Sequence, residues 1–338
     1  MQRSCGKRSF LFTVRDGMQN PTSQKSNKER IERLFLSPSA PVLLSALLLL
    51  LTRLLSPLLL RGNSLYISVV ILQIIVFLLP AGIYIRMQGD GYFSRLRLKP
   101  GRPESLPLSL FSALLLISGG LLLSMLFSGL NRLAGPFTLY ESFYTDGGGF
   151  SGPTLYLVLA YAVLPAITEE LLFRGILCTE YERHGVSVAI LSSTVLFALI
   201  HFNFFGIPVY LYAGFLLAVT TYLCRSVSGA IIAHFIYNLF GLFGQPYIAS
   251  FYEITGSTAL FLFILISVFL LSLALFCGEA SRLSRLYAER NLPNIEIPHY
   301  KNGSPVPFRL RLRAALLKPF VLIIFILWLT ASILFLFL

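Results

Sequence analysis

The sequence predicts an all-α protein, a polytopic transmembrane helical bundle of about nine spans. Of its 338 residues, 56% are hydrophobic and only 12% are charged, whereas soluble domains carry about 25% charged residues. Long apolar segments recur along the chain, and about 20 apolar residues are enough for a helix to cross the hydrocarbon core of a bilayer. Lys and Arg are concentrated in alternate connections, which is the pattern of loops on the cytoplasmic side.

Nine segments are predicted to be membrane-spanning helices. They are 41–60, 65–85, 106–130, 153–173, 186–205, 207–224, 226–243, 255–276 and 318–338. The division between the fifth and the sixth, at Phe205-Gly206-Ile207-Pro208, is the least clearly marked in the sequence. We therefore expect two regions, a basic N-terminal tail at 1–40 and a transmembrane domain at 41–338.

The distribution of basic residues predicts the orientation of these spans. If the N-terminus is cytoplasmic, 24 of the 27 Lys and Arg residues fall in or beside cytoplasmic segments. Those segments are 1–40, 86–104, 174–185, the junction at Arg225, and the loop 277–317 with Lys318. We interpret the net charge of +12 as a topology signal, so we expect contact with membrane lipid and no binding of nucleic acid.

The segments that connect the predicted spans carry weaker signals of function. The loop 277–317 is most simply the positive anchor of the last span, with recruitment of an acidic partner or of lipid as the alternative. The run Asp146-Gly147-Gly148-Gly149 is typical of a flexible connector. The four cysteines are predicted to be ordinary thiols, because they lie at or near the cytoplasmic side and show no C-x-x-C spacing. They are Cys5, Cys178, Cys224 and Cys277.

Ionisable and polar residues inside three of the predicted spans carry the functional signal. A charged side chain in the middle of a membrane costs roughly 2.5–3.5 kcal/mol on insertion scales. The three segments are Glu169-Glu170-Leu171-Leu172-Phe173-Arg174, Phe197-Ala198-Leu199-Ile200-His201 and His234-Phe235-Ile236-Tyr237-Asn238. We expect these residues to line one polar cavity together.

The first segment predicts two glutamates with different roles. Glu170 and Arg174 are four residues apart and can pair on one helix face. Glu169 points about 100° away and stays free of that pair in the simplest geometry. An alternative is a helix end with ordinary interfacial charges. Pro165 removes a backbone hydrogen bond to Tyr161, which predicts a kink beside the acidic pair.

The other two segments add a histidine each. His201 follows Phe197 by four residues, and Asn238 follows His234 by four, so each pair shares a helix face. Alone, each could be a packing histidine or a polar clamp between helices. At about 1.5 Å per residue, Glu169, His201, His234 and Asn238 come within about 10 Å of one depth in the membrane. That convergence favours a shared site.

A glutamate, two histidines and an asparagine are suited to hydrolysis. Glu169 can act as a general base on water, while histidine and an asparagine amide can donate hydrogen bonds to a developing oxyanion. The set Glu169, His201 and His234 could instead hold zinc and acidify a bound water molecule. No H-E-x-x-H motif occurs, which excludes a zinc site of that kind on a single helix. The sequence leaves metal dependence open.

In order and separation, the three segments resemble the motifs of the CPBP intramembrane proteases, the CAAX-processing and bacteriocin-processing or Abi family. The resemblance covers about residues 153–244 and implies a CPBP-type catalytic core. It also implies an intramembrane endopeptidase that acts on a peptide or protein substrate, membrane-associated or lipidated.

The resemblance implies a role for each motif residue. Glu169 and His201 would activate the attacking water. His234 and Asn238 would stabilise the oxyanion. Glu170, Arg174 and Phe197 would support the site.

Two other functions are compatible with the same residues. A non-catalytic membrane scaffold or immunity protein would tolerate Glu169→Gln, which keeps the shape of the side chain and removes the base. A proton-coupled transporter would use intramembrane Glu and His as relays. The sequence shows no inverted repeat, which counts against the transporter.

Overall fold

The computed structural model describes residues 36–59, 70–128, 154–290 and 305–337. Within these ranges nearly all of the chain is helical and no strand occurs, so the predicted all-α class is confirmed. The helices are α1 (Ala40–Leu59), α2 (Val70–Met87), α3 (Leu106–Ser128), α4 (Leu155–His184), α5 (Val186–Leu199), α6 (Ile207–Cys224), α7 (Val227–Phe243), α8 (Gln245–Thr255), α9 (Thr258–Glu289), α10 (Phe308–Leu316) and α11 (Pro319–Phe337).

Five or six helices of the described ranges are long and apolar enough to cross a membrane. The five are α2, α3, α4, α6 and α9, and the bent pair of α10 and α11 makes the sixth. The predicted count of nine spans is therefore not confirmed. The other three predicted spans coincide with α1, α5 and α7, whose apolar stretches are shorter. In particular, α5 has 14 residues and α7 has 17.

Two helices run beyond the spans predicted for them. The span predicted at 153–173 belongs to α4, which continues to His184. The span predicted at 255–276 belongs to α9, which continues to Glu289. Parts of two predicted cytoplasmic connections are therefore helical, because the hydrogen-bonded helix does not stop where its side chains become polar.

Several predictions concern residues outside the described ranges. The tail at 1–40 falls almost entirely there, as do the glycine run at 146–149, Cys5 and the middle of the predicted loop, 291–304. The other three cysteines are free thiols, as expected. Residues Pro38–Leu338 form one compact unit.

Four segments of the chain meet at one end of the helix bundle. The Arg97 guanidinium pairs with the Glu182 carboxylate at 2.6 Å. The Val227 amide donates to the Arg97 carbonyl at 3.1 Å. The Arg225 guanidinium lies 4.7 Å from the centre of the Tyr287 ring. These contacts join the segments around 97, 182, 225 and 287, which we call the basic end.

The basic end fixes the relative directions of the helices. The chain reaches it at the end of α4, leaves along α5, returns along α6 and leaves again along α7. Helices α4 and α6 thus run opposite to α5 and α7. The four segments that meet here are four of the five predicted to be cytoplasmic from their basic residues. The side of the membrane that this end faces stays a prediction.

The centre of the bundle is formed by α3, α6 and α7, with α5 packed on α6 and α4 on α7. The hydroxyls of Ser112 on α3 and Thr220 on α6 are 2.7 Å apart and buried. The Tyr212 hydroxyl donates to the Leu115 carbonyl at 2.6 Å. Hydrogen bonds of this kind hold apolar helices together where the hydrophobic effect between them is weak. This packing brings α4, α5, α6 and α7 around the motif residues.

Candidate active site

A buried ion pair anchors the site on α4. The Arg174 Nη1 atom donates to Glu170 Oε1 at 2.7 Å, and both side chains are 0% exposed. The predicted pairing of these two residues is confirmed. Arg174 Nη2 donates to the Gly214 carbonyl of α6 at 3.0 Å. The guanidinium therefore joins α4 to α6 and neutralises one of the two glutamates.

His234 of α7 binds the same carboxylate. Its Nδ1 atom lies 2.9 Å from Glu170 Oε1. A carboxylate paired with Arg174 is an acceptor, so His234 Nδ1 carries the hydrogen. The ring is thereby oriented, and Nε2 is the nitrogen left to act on a substrate. Glu170 thus accepts hydrogen bonds from two different helices.

Glu169 stands beside this cluster without joining it. The side chain is only 4% exposed, and within the described ranges no hydrogen bond or ion pair is made to its carboxylate. His234, Glu170 and Arg174 are nevertheless close enough to interact with it electrostatically. The predicted separation of the two glutamates is therefore seen in their contacts: one is held by cationic and N–H donors, and the other is not.

His201 lies just past the end of α5, in the turn that leads to α6. Its Nδ1 atom is 2.7 Å from the Phe197 carbonyl, which can only accept, so Nδ1 carries the hydrogen and Nε2 bears the lone pair. The imidazole also stacks on the Tyr210 ring of α6, with centroids 3.9 Å apart and planes 24° apart. The imidazole ring is thus held by a hydrogen bond at one edge and by stacking on the face of the Tyr210 ring.

Phe197 lies at the centre of the motif residues. Its ring centroid is 4.8 Å from that of His201 and 6.3 Å from that of His234. The Arg174 guanidinium lies 4.6 Å from the same centroid, which is the geometry of a cation–π contact. One aromatic ring therefore contacts residues of all three motifs and sets the spacing between α4, α5 and α7.

Asn238 lies one helical turn beyond His234 on α7, so the two share a helix face as predicted. Its side chain is partly exposed, and within the part of the chain that the structure describes its amide makes no hydrogen bond. An amide without an internal partner next to His234 is available to a bound molecule.

The residues considered as zinc ligands do not form a metal-binding group. Across the described segments, no three His, Cys, Asp or Glu side chains are gathered as a metal ion would require. Glu169, His201 and His234 are included in this statement. As arranged, the three side chains do not fit a zinc ion.

Two residues of the site lie outside the predicted motifs. Tyr210 stacks on His201, and the Gly214 carbonyl accepts from Arg174. Both belong to α6, which supplied none of the motif residues. Their four-residue spacing on one helix is a weak signal that they face the same neighbour. It does not reveal which neighbour.

One comparison with known proteins finds a match in this part of the chain. Residues 151–240 match the family model described as "Type II CAAX prenyl endopeptidase Rce1-like". No curated protein and no solved structure matches the chain. The matched range contains all three motifs, and several long apolar helices fit an integral membrane protein. Over residues 151–240, the chain is therefore similar to the Rce1-like domain of the CPBP, or CAAX, protease family.

Proposed function

We propose that the protein is an intramembrane endopeptidase that hydrolyses a peptide bond in or beside the membrane. The similarity to the Rce1-like domain supports a protease of the CAAX type, and the long apolar helices support the membrane setting. A membrane-associated peptide or protein is the proposed substrate. A lipidated C-terminal peptide is the first substrate to test, because the family's description names a prenyl endopeptidase.

The difference between the two adjacent glutamates carries this proposal. Glu170 accepts hydrogen bonds from Arg174 and His234, so its negative charge is balanced by groups of the protein itself. Glu169 is buried next to it without a hydrogen bond in the described ranges, so it can bind and release a proton. A scaffold would have no use for a buried carboxylate without a partner, since such a group only costs stability.

Water activation is assigned to Glu169 and His201. The lone pair of His201 Nε2 accepts a hydrogen bond from the water molecule and orients it. Glu169 removes the other proton as the water oxygen attacks the peptide carbonyl carbon. The same proton then passes to the amine nitrogen as the carbon–nitrogen bond breaks. Glu169 is thereby restored as a carboxylate.

Stabilisation of the tetrahedral intermediate is assigned to His234 and Asn238. With both nitrogens protonated, His234 keeps Nδ1–H on Glu170 and donates Nε2–H to the oxyanion. The Asn238 amide donates a second hydrogen bond. Donors fixed before the reaction stabilise the developing charge without reorganising. Glu170 orients His234 through its hydrogen bond, and Arg174 and Phe197 support this arrangement.

The test begins with the identification of a substrate. Membrane peptides of cells with the wild-type protein are compared with those of cells with Glu169→Ala, and peptides that depend on Glu169 are synthesised. The purified protein in proteoliposomes is then assayed on them. We expect Glu169→Gln and His201→Ala to lower kcat by about 10²- to 10⁴-fold, because each removes part of water activation.

The outcome with the catalytic variants and one control variant separate catalysis from other roles. Unchanged activity or function with Glu169→Gln and His201→Ala would sink the protease assignment and favour a scaffold. Glu170→Gln is expected to lower stability as well as activity, since it leaves Arg174 buried without its counter-charge, at a cost of about 3–5 kcal/mol, and weakens the hydrogen bond that orients His234. Thermal unfolding in detergent measures that cost. Metal analysis and a chelator assay on the wild type test metal dependence directly.

A further inference from the structure

A short basic helix lies across the end of the last apolar helix. Helix α10 is bent by 70° from α11. If α11 crosses the bilayer, α10 therefore runs nearly parallel to the membrane plane. Its sequence, Phe308-Arg309-Leu310-Arg311-Leu312-Arg313 followed by Ala314-Ala315-Leu316, alternates arginine with apolar residues. Helices of this composition and orientation are typical of the layer of lipid headgroups.

One face of α10 is attached to the bundle. Ala315 is buried, and Leu312 and Leu316 pack against the main core. The Arg311 guanidinium donates to the carbonyl of His184 at 2.7 Å and to the carbonyl of Val306 at 3.0 Å. The helix is therefore held at the basic end by specific contacts, and the orientation of its other face is defined.

The other face carries charge without counter-charge. Arg309 and Arg313 are one turn apart, and both are exposed. Among the residues that the structure describes, neither is paired with a carboxylate. Leu310, next to them, is 49% exposed. An exposed leucine between two unpaired arginines matches a surface that is partly apolar and partly anionic.

Further cations surround the point where α10 is attached. Arg183 and Lys318 lie close enough to His184 to interact with it electrostatically, as does Arg311. Both are exposed, and neither has an acidic partner within the described segments. The nearest carboxylate in sequence, Glu182, is already paired with Arg97. Among the described residues, neither Arg183 nor Lys318 is therefore paired with a carboxylate.

We propose that the outer face of α10, with Arg183 and Lys318, is a docking surface for the headgroups of anionic phospholipids. The face is defined by Arg309, Leu310 and Arg313. Charge complementarity selects the phosphate and carboxylate groups of the lipid, and the exposed Leu310 enters the adjoining acyl region. Basic segments next to a membrane-spanning helix attract anionic lipid in this way. An acidic peptide would satisfy the arginines but would leave Leu310 in water.

The test uses the full chain, purified in a neutral detergent. Short-chain phosphatidylserine and short-chain phosphatidylcholine are titrated separately, and bound lipid is counted by native mass spectrometry. We expect phosphatidylserine to bind more tightly. Arg309→Gln combined with Arg313→Gln should weaken its binding by about 30-fold at low salt. The double replacement by lysine should keep most of the affinity, because the charge remains.

A matched pair of arginines elsewhere provides the control. Arg86 and Arg285 are also exposed and have no acidic partner in the described ranges, and Arg86→Gln with Arg285→Gln removes the same net charge. Equal loss in both double variants would overturn the proposal, as would equal binding of the two lipids. Tighter binding of a polyglutamate peptide than of phosphatidylserine would assign the surface to an acidic protein. Thermal unfolding confirms that each variant is folded. The single substitutions Arg309→Gln and Arg313→Gln are compared in the same way with Arg86→Gln and Arg285→Gln.

Discussion

His201 and Tyr210 form the closest aromatic contact of the site. The two rings are nearly parallel and 3.9 Å apart, while the hydrogen bond to the Phe197 carbonyl fixes only one edge of the imidazole. A single hydrogen bond allows the ring to rotate about it, and the tyrosine face prevents that rotation. Tyr210 is thus a positioning residue in the proposed mechanism, because it orients His201 Nε2 towards the water molecule.

Tyr210→Leu is expected to lower kcat by roughly 2- to 10-fold, since an aromatic pair is worth about 0.5–1.5 kcal/mol beyond its buried area. KM should change little, because the tyrosine is not assigned a contact with substrate. Tyr210→Phe keeps the ring and should restore kcat. Steady-state kinetics on the identified peptide separates the two parameters. If the phenylalanine variant is as slow as the leucine variant, stacking is not what positions His201.

Among the elements, α4 has the most unusual geometry. Two π-helical segments, Val158–Val163 and Leu171–Leu177, lie on either side of its glutamates. Such segments widen the helix and often occur at functional sites. The first ends two residues before Pro165, which has no N–H to donate, so the missing hydrogen bond coincides with a wider turn. The predicted kink stays a prediction. In the second, the Phe173 carbonyl also accepts from the Ser193 hydroxyl of α5 at 2.9 Å.

The contact between α5 and α6 depends on a glycine. A Cβ atom on Gly214 would lie 3.2 Å from the Thr194 Cα and carbonyl oxygen and from the Phe197 ring. The backbone of α5 cannot move away without displacing Phe197. The same glycine offers its carbonyl to Arg174. Its lack of a side chain therefore serves both the packing and the ion pair.

Gly214→Ala is expected to destabilise the protein by about 1–3 kcal/mol, because overpacking forces the two helices apart. Activity should fall as well, since Phe197 and Arg174 move with them. Gly278→Ala on α9 is the matched control: no atom lies within 4 Å of its new Cβ, and alanine favours the helix. Thermal unfolding in detergent compares the two variants. Equal stability would show that α5 and α6 have room at this contact.

Local spacing predicted the part of the site that lies within single helices. The pairing of Glu170 with Arg174 follows from four-residue periodicity, and so does the shared face of His234 and Asn238. Contacts between helices do not follow from spacing. The hydrogen bond from Arg174 to Gly214 joins residues 40 positions apart. Which carbonyl accepts it depends on how α4 packs on α6. The same limit applies to Tyr210, whose neighbour is decided by the turn after α5.

For the molecule as a whole, the contacts at the basic end bear on the number of spans. By length and hydropathy alone, five or six helices qualify as membrane spans. Helix α5 is not among them, because it is only about 21 Å long at 1.5 Å per residue. Yet Glu182 before α5 and Tyr222 at the end of α6 share a hydrogen bond of 2.9 Å. The chain therefore travels away from the basic end along α5 and returns along α6. The turn at 200–206 lies at or towards the opposite end.

The distribution of basic residues bears on whether α1 crosses the membrane, and hardly on whether α5 and α7 do. If α1 did not cross, the eight basic residues of 1–40 would face the opposite side from the basic end, against the usual asymmetry of Lys and Arg. If α5 and α7 both failed to cross, only Arg225 would change sides. Yet Arg225 contacts Tyr287 at the end of α9. Charge thus supports the crossing of α1, and contacts support the crossing of α5 and α7.

Single cysteines can decide whether α5 crosses the bilayer. In a chain whose native cysteines are replaced by alanine, Arg183→Cys and Phe205→Cys are placed before and after α5, and Tyr247→Cys, at a position 75% exposed, marks the far end of α7. A membrane-impermeant maleimide is applied to intact cells and to permeabilised cells. We expect Phe205→Cys and Tyr247→Cys to react in intact cells, and Arg183→Cys to react only after permeabilisation, because the basic end is predicted to be cytoplasmic. If Phe205→Cys and Arg183→Cys react from the same side, α5 is re-entrant and nine crossings are too many. If all three sites show the reverse pattern, the crossings of α5 and α7 stand and the orientation is inverted.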